Sequence, residues 1–305
     1  MHNAIEIRDL TKTYGTKRGL TGLSLDVRAG EVFGYLGPNG AGKSTTIRLL
    51  LDLIRPTSGT ASVLGLDPRH DGVELRRRIG YLAGDFVVDG RQQVRECLRF
   101  LAALRGGVPQ TRIDELAERL GLDTRATIKS LSKGNRQKVG LVQAFMHHPE
   151  LLILDEPTSG LDPLVQQTFL ELVTEAANNG QTVFMSSHIM DEVEAVADRV
   201  GILRDGTLVA LDTVADLRAA AIRQIEIAFA EPVTIEEFGA VPGLLDPQLD
   251  ATGTVLRAGL SGTPDLLVKA AARHTVTSLT TADPHLDEIF HSHYAAAEAA
   301  PQTAA

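Results

Sequence analysis

Three stretches of this chain carry residue types and spacings suited to chemistry on a phosphate. Gly37-Pro38-Asn39-Gly40-Ala41-Gly42-Lys43-Ser44-Thr45 runs Gly, four residues, Gly, Lys and then Ser, a pattern whose backbone amides surround phosphate oxygens. Lys43 adds a charge that reaches the β- and γ-phosphates, and the Ser44 hydroxyl takes a position on Mg²⁺. Asp155-Glu156 closes the apolar run Leu151-Leu152-Ile153-Leu154. A carboxylate at such a strand end can hold Mg²⁺ through water, and the one beside it can polarise an attacking water. In the third stretch, Leu131-Ser132-Lys133-Gly134-Asn135-Arg136-Gln137, a hydroxyl and exposed amides at a helix start form a second anion-binding end. Taken alone, that stretch also reads as an ordinary capped helix. His188, after Ser186-Ser187, reads on its own as a structural histidine at a strand end.

The elements that position these residues follow from hydrophobic period. Ala4 to Arg8 and Leu23 to Val27 alternate as strands, with Tyr14 in the loop between them. Glu31 to Leu36 reads as the strand feeding the glycine loop, and Ser44 to Leu50 as the helix leaving it, so the amides and the positive helix end face one point. Thr60 to Gly65 returns as a strand after the break at Arg55-Pro56-Thr57-Ser58-Gly59. Val94, Leu98, Leu101 and Leu104, then Ile113, Leu116, Ala117 and Leu120, fall at helical spacing and mark a helical insert of roughly 60 residues. Leu151 to Leu154 is too short for a helix and reads as a buried parallel strand. Asp162-Pro163 caps and starts a helix that Asn178-Asn179-Gly180 closes, ahead of a strand from Gln181 to Met185. Asp205-Gly206 signals a hairpin. Strands alternating with helices around a phosphate loop define an α/β fold, a mainly parallel sheet covered on both faces.

A length of 305 residues predicts two domains. From about Ile222 a fresh alternation begins, with Ile225 to Phe229, Thr254 to Arg257, a helix after Thr263-Pro264, Val276 to Leu279 and a last helix from Pro284. This reads as a small separate α+β domain, with the Ala-rich end after Tyr294 disordered. His285, His291 and His293 read as an exposed helical end rather than a metal set. Thirty basic against 39 acidic residues give a net charge of −9, which argues against broad nucleic-acid binding. The single cysteine, Cys97, excludes an internal disulfide and reads as a small buried apolar residue. The N-terminus lacks the basic and apolar regions of a secretory signal, and no run of about 18 apolar residues is present. Work at a membrane would therefore need a partner to hold the chain there.

Taken in order, Tyr14, Gly-Pro-Asn-Gly-Ala-Gly-Lys-Ser-Thr, Leu-Ser-Lys-Gly-Asn-Arg-Gln, Leu-Leu-Ile-Leu-Asp-Glu-Pro-Thr-Ser-Gly-Leu-Asp and Ser-Ser-His resemble the ATP-binding subunit of an ABC transporter over about residues 4–215. The resemblance implies a P-loop NTPase core with an N-terminal antiparallel β subdomain over 1–218 and a helical subdomain at about 86–147, so that the small C-terminal α+β domain read above is an accessory domain over 219–295, followed by a tail over 296–305. It implies ATP and Mg²⁺ as cofactors. Tyr14 would stack on adenine, and Gly37, Pro38, Asn39, Gly40, Ala41, Gly42, Lys43, Ser44 and Thr45 would cradle phosphate. Ser44 and Asp155 would serve Mg²⁺, Glu156 would be the catalytic base, and Lys43 and His188 would contact the γ-phosphate. Ser132, Lys133, Gly134 and Asn135 would close over a nucleotide held by another subunit, with Asp162 in a dimer-contact loop. The implied partners are a second ATPase subunit, identical or related, and a separate transmembrane permease of the export branch that moves a drug, lipid or other small substrate. The implied place is the cytoplasmic face of the membrane. A soluble ATPase of the same fold, acting in DNA repair or translation, is the alternative.

Two places depart from the family pattern. Lys133 and Asn135 replace Gly and Gln in the usual Leu-Ser-Gly-Gly-Gln, a variant that resembles the drug-export branch. Where the family places a glutamine that touches Mg²⁺ and links to the permease, this chain has Gly84, and Asp85 beside it is the substitute candidate, although a carboxylate accepts and cannot donate as an amide does. The stretch Leu279 to Phe290 resembles the closing segment of export-type ATPases that carry a small added domain.

Overall fold

A computed structural model describes residues 2–88, 90–220 and 222–282. The last predicted helix, from Pro284, the three histidines beyond it and the Ala-rich tail lie outside the described residues. Contacts divide the chain into two compact units, the first ending at Asp212 and the second starting at Thr213.

In the first unit, β1 (Asn3–Tyr14) pairs antiparallel with β2 (Lys17–Arg28). The strands run longer than their alternation alone suggests, so Tyr14 is the last residue of β1, paired with Lys17, rather than a loop residue. Strand β3 (Val32–Leu36) follows, buried at all five positions, and then helix α1 (Lys43–Leu50). Strand β4 (Ser58–Val63) pairs with β1 to complete a three-stranded antiparallel sheet. Helix α2 (Gly72–Arg78) leads into β5 (Ile79–Leu82). The helical insert comprises α3 (Val94–Leu104), α4 (Gln110–Arg119) and α5 (Lys133–Phe145), and Cys97 is buried in α3 as expected.

The second half of this unit supplies β6 (Leu151–Asp155), α6 (Pro163–Asn178), β7 (Thr182–Ser187), the short α7 (Met190–Glu194), β8 (Arg199–Arg204) and β9 (Thr207–Thr213). The six-stranded sheet has the order β5-β6-β7-β3-β8-β9, parallel through its first five strands. At the turn into β9, Asp205 and Gly206 both have positive φ (47° and 78°), the conformation that Asp-Gly favours in a two-residue hairpin. Buried side chains from both sheets and α1, including Ile5, Leu25, Phe33, Ile47, Ile153 and Phe184, form one core. The phosphate loop therefore leaves an interior strand anchored on both faces.

The insert is tied to the sheet by polar contacts onto β5. Arg105 donates to the carbonyls of Arg76 and, at 3.0 Å, Ile79, while Gln143 donates to that of Tyr81. His147 Nε2 lies 3.3 Å from the Ile79 oxygen. Burial first, and then the Arg105 charge, pushes the His147 ring down to about 4 from an ordinary 6.5. The unfolded chain thus binds the extra proton between these values, so this contribution to stability is complete above about pH 6.5 and is lost as pH falls toward 4. Discounted for partial solvent screening, the loss is about 1–2 kcal/mol. The stability advantage of wild type over His147→Gln should shrink by that amount between about pH 7 and about pH 4.5 in urea unfolding. A constant difference across that range would refute the assignment.

The second unit contains α8 (Val214–Ala220), β10 (Arg223–Phe229), β11 (Leu244–Leu249), β12 (Val255–Leu260), α9 (Asp265–Ala271) and β13 (Val276–Ala282). Its antiparallel sheet has the order β11-β12-β10-β13 over a core built on Ile227, Phe229, Phe238, Leu256 and Leu260. Strand β11 escaped the sequence pattern because it contains Pro247 and a bulge at Asp246, whose φ is 45°. Both features suit an edge strand. Among the described residues, no helix is long and apolar enough to cross a membrane.

Candidate functional site

The glycines are required by the backbone of the phosphate loop. Gly42 caps α1 at φ 112°, and a Cβ there would meet the Gly19 carbonyl at 2.8 Å. The loop and its surroundings form a cleft of about 350 Å³ lined by Tyr14, Gly19, Pro38, Asn39, Gly40, Gly42, Lys43, Ser44, Thr45 and Glu156. Ala41, nearly buried, donates its amide to Pro38, and the Gly37 carbonyl accepts from Lys43 Nζ at 2.5 Å. Tyr14 is 46% exposed, with Lys12 Nζ 5.2 Å above its ring.

Lys43 is held in place by three partners. Besides Gly37, its ammonium reaches the Pro38 carbonyl at 3.3 Å and Glu156 Oε1 at 3.0 Å. The other Glu156 oxygen, Oε2, accepts from His188 Nδ1 at 2.6 Å. Lys43, Glu156 and His188 thus form one continuous chain, bringing together the three candidate catalytic residues from the start of α1, the end of β6 and the end of β7.

Glu156 sits in the left-handed region at φ 48°, which costs roughly 1 kcal/mol for a side-chain residue. Neighbours hold it there. Its amide donates to the Ser186 carbonyl at 3.1 Å, and Gln137 in α5 donates through Nε2 to the carbonyls of Glu156 at 3.2 Å and Pro157 at 3.1 Å. Ser186 Oγ also donates to Asp155 Oδ1 at 2.7 Å. The supporting roles of Gln137 and Ser186 are not read from the sequence, because each bond joins elements that only the fold brings together.

Asp155 is 4% exposed. Position 84 faces it, since a Cβ built on Gly84 would lie 3.4 Å from Oδ2. The carboxylate of Asp155 and the hydroxyl of Ser44 are hard oxygen donors, which fit Mg²⁺ held partly by water and phosphate. Asp85, the next residue, lines a groove of about 620 Å³ together with Gly84, Phe86, Val87, Ile128, Lys129, Lys133, Arg136 and Gln137.

The helix α5 opens on Ser132, whose Oγ accepts from the Asn135 amide at 3.2 Å. Accepting uses a lone pair and leaves the hydroxyl hydrogen to donate outward. Gly134 allows close approach: a Cβ there would sit 2.3 Å from the Gly160 carbonyl. Lys133 Nζ donates to the Ser159 hydroxyl at 3.0 Å, a neutral partner. Asp162 caps α6 by accepting from the Val165 amide at 3.1 Å, with Pro163 at the first helical position. None of Ser132, Lys133, Gly134 or Asn135 lines the cleft over the phosphate loop.

A parallel sheet whose interior strand β3 empties into a phosphate loop, with the carboxylate-tipped strand β6 one place away across β7, is that of a P-loop nucleotide-binding domain. A solved structure of an ATP-binding subunit of an ABC transporter superposes with a TM-score of 0.65 at 32% identity, covering 70% of this chain and 92% of that one. Residues 20–159 match the ABC transporter family. The linearmycin resistance ATP-binding protein LnrL of Bacillus subtilis is 31% identical over 310 residues, covering 94% of this chain and 96% of LnrL. The probable multidrug ABC transporter ATP-binding protein YbhF of Escherichia coli is 40% identical over 220 residues, 70% of this chain, and the chain spans only 38% of YbhF's length. The chain belongs to the ABC transporter family, as one of its ATP-binding proteins.

Proposed function

We propose that this chain hydrolyses ATP to ADP and phosphate, with two copies, or one copy and a close relative, meeting head to tail to drive an export permease. The observation that carries the reading is the separation of two half-sites within one chain. The phosphate loop, Tyr14 and Glu156 share one cleft, while Ser132 to Asn135 face elsewhere beside Ser159 and Gly160. A second copy placed head to tail supplies the missing hydroxyl and helix end to the γ-phosphate.

In that assembly Lys43 exchanges its Glu156 contact for phosphate oxygens, and Glu156 orients the attacking water and takes its proton. His188, already bonded to Glu156 through Nδ1, holds the carboxylate and presents its ring to the γ-phosphate. The Ser44 hydroxyl and the Asp155 carboxylate are the groups that would hold Mg²⁺, whose charge would neutralise the phosphates. The rest is positioning, with donors fixed where negative charge develops.

The groove beside Asp85 suits the permease. Its exposed Val87, 84% accessible, lies among the cations Lys129, Lys133 and Arg136, so an amphipathic segment with an apolar anchor and carboxylates would fit. Membrane association then comes through that partner. Export of a drug, lipid or other small molecule is supported by the names carried by LnrL and YbhF.

The test is Ser132→Arg. The purified chain should hydrolyse ATP at a rate per chain that rises with protein concentration. Ser132→Arg should leave ATP binding to the single chain unchanged and abolish turnover. A variant that turns over at the wild-type rate would eliminate the head-to-tail arrangement.

A further inference from the structure

Glu192 takes no part in the chemistry above, yet it is a carboxylate only 7% exposed. Burying it is expensive unless its oxygens are satisfied. Its Oε2 accepts from Thr158 Oγ1 at 2.7 Å and from Ser187 Oγ at 3.4 Å. Its Oε1 is buried without a hydrogen-bond partner.

The two hydroxyls belong to the two loops that carry the reacting groups. Thr158, itself 3% exposed, is two residues beyond Glu156, and its carbonyl accepts from the Leu161 amide at 3.0 Å in the turn toward Asp162. Ser187, 1% exposed, immediately precedes His188, and its Oγ accepts from the Ile189 amide at 2.9 Å, which fixes the turn after His188. One carboxylate oxygen therefore joins the backbone on either side of the Glu156–His188 contact. A residue there only to fill space would be apolar, since the carboxylate adds a desolvation cost and an unsatisfied oxygen. Burial lifts the Glu192 carboxyl above the usual range, opposed by the bonds from Thr158 and Ser187. A neutral amide of the same shape should thus be tolerated.

We propose that Glu192 is a positioning residue for ATP hydrolysis, holding the Glu156 loop and the His188 loop in register through Thr158 and Ser187. The proposal rests on the assignment of Glu156 and His188 above. It separates positioning from nucleotide binding, because neither Thr158, Ser187 nor Glu192 lines the cleft over the phosphate loop.

The experiment is steady-state ATPase kinetics and ATP binding on the purified full chain. Glu192→Ala should lower kcat by about 10- to 100-fold, the scale of a small misplacement of reacting groups, with KM and ATP affinity within about two-fold. Glu192→Gln keeps an acceptor for both hydroxyls and should retain at least about a third of wild-type kcat. Thr158→Val, which preserves shape, should show an intermediate fall, and combining it with Glu192→Ala should add little, as expected for one shared contact. Wild-type kcat in Glu192→Ala, or equal inactivity of Glu192→Gln and Glu192→Ala, overturns the proposal. A role in folding alone would appear as fewer active chains with unchanged kcat per ATP-binding site, which also overturns it. A wild-type chain without turnover would overturn both this proposal and the ATPase reading, a result distinct from any of these variants.

Discussion

Lys43→Ala should bind ATP about 100-fold more weakly than wild type, a loss of about 3 kcal/mol, as expected for removing a charge-assisted contact to phosphate. The ammonium is 5% exposed and already oriented by the carbonyls of Gly37 and Pro38, so little entropy is lost when it engages a ligand. The same substitution leaves Glu156 without its cation. Because Glu156 is 19% exposed, water relieves part of that cost, and the loss of folding stability should be about 1–2 kcal/mol rather than the larger value of a fully buried pair. Titration calorimetry and urea unfolding read the two effects separately. Unchanged ATP affinity would remove Lys43 from the phosphate site.

Glu156→Gln should keep ATP bound while turnover falls by about 10²- to 10⁴-fold, the usual range for losing a general base. The amide oxygen can still accept from His188 Nδ1, so the geometry of the His188 side survives. What disappears is the capacity to take a proton. Loss of the carboxylate charge also weakens its hold on Lys43 and removes repulsion toward incoming phosphates, so ATP should bind at least as tightly as to wild type. With ATP present, this variant should accumulate as a two-chain species in size-exclusion chromatography. Turnover at the wild-type rate would show that another group activates the water.

The fold and the separate pieces of the site were legible because their signals are local. The buried run Leu151 to Leu154, the glycine loop before Lys43 and the Asp162-Pro163 helix start each write their structure within a few residues, and each element formed at the place its pattern indicates. The connections between pieces were not legible. Contact of Lys43 with Glu156, and the supports from Ser186 and Glu192, join residues from different strands and helices, and no spacing along the chain encodes their distance. Position 84 illustrates the same limit. Its lack of a side chain is plain in the sequence, but only the fold shows that it faces Asp155 and, with Asp85, lines the groove beside it. Tyr14 needed the full hairpin register to move from a loop to a strand end.

Gln137 lies in α5, four residues after Lys133, and its amide grips the backbone carbonyls of Glu156 and Pro157. That grip gears two faces of the chain together. In the proposed head-to-tail pair, the helix whose leading end would be lent to a neighbour's nucleotide also steadies the backbone under Glu156. A tilt of α5 on docking would therefore be transmitted as a tug on Glu156, one turn of helix away, with no intervening loop to absorb it. In such a pair each subunit's readiness to react would be geared to how firmly it clasps the other, and the two hydrolytic events would lose their independence.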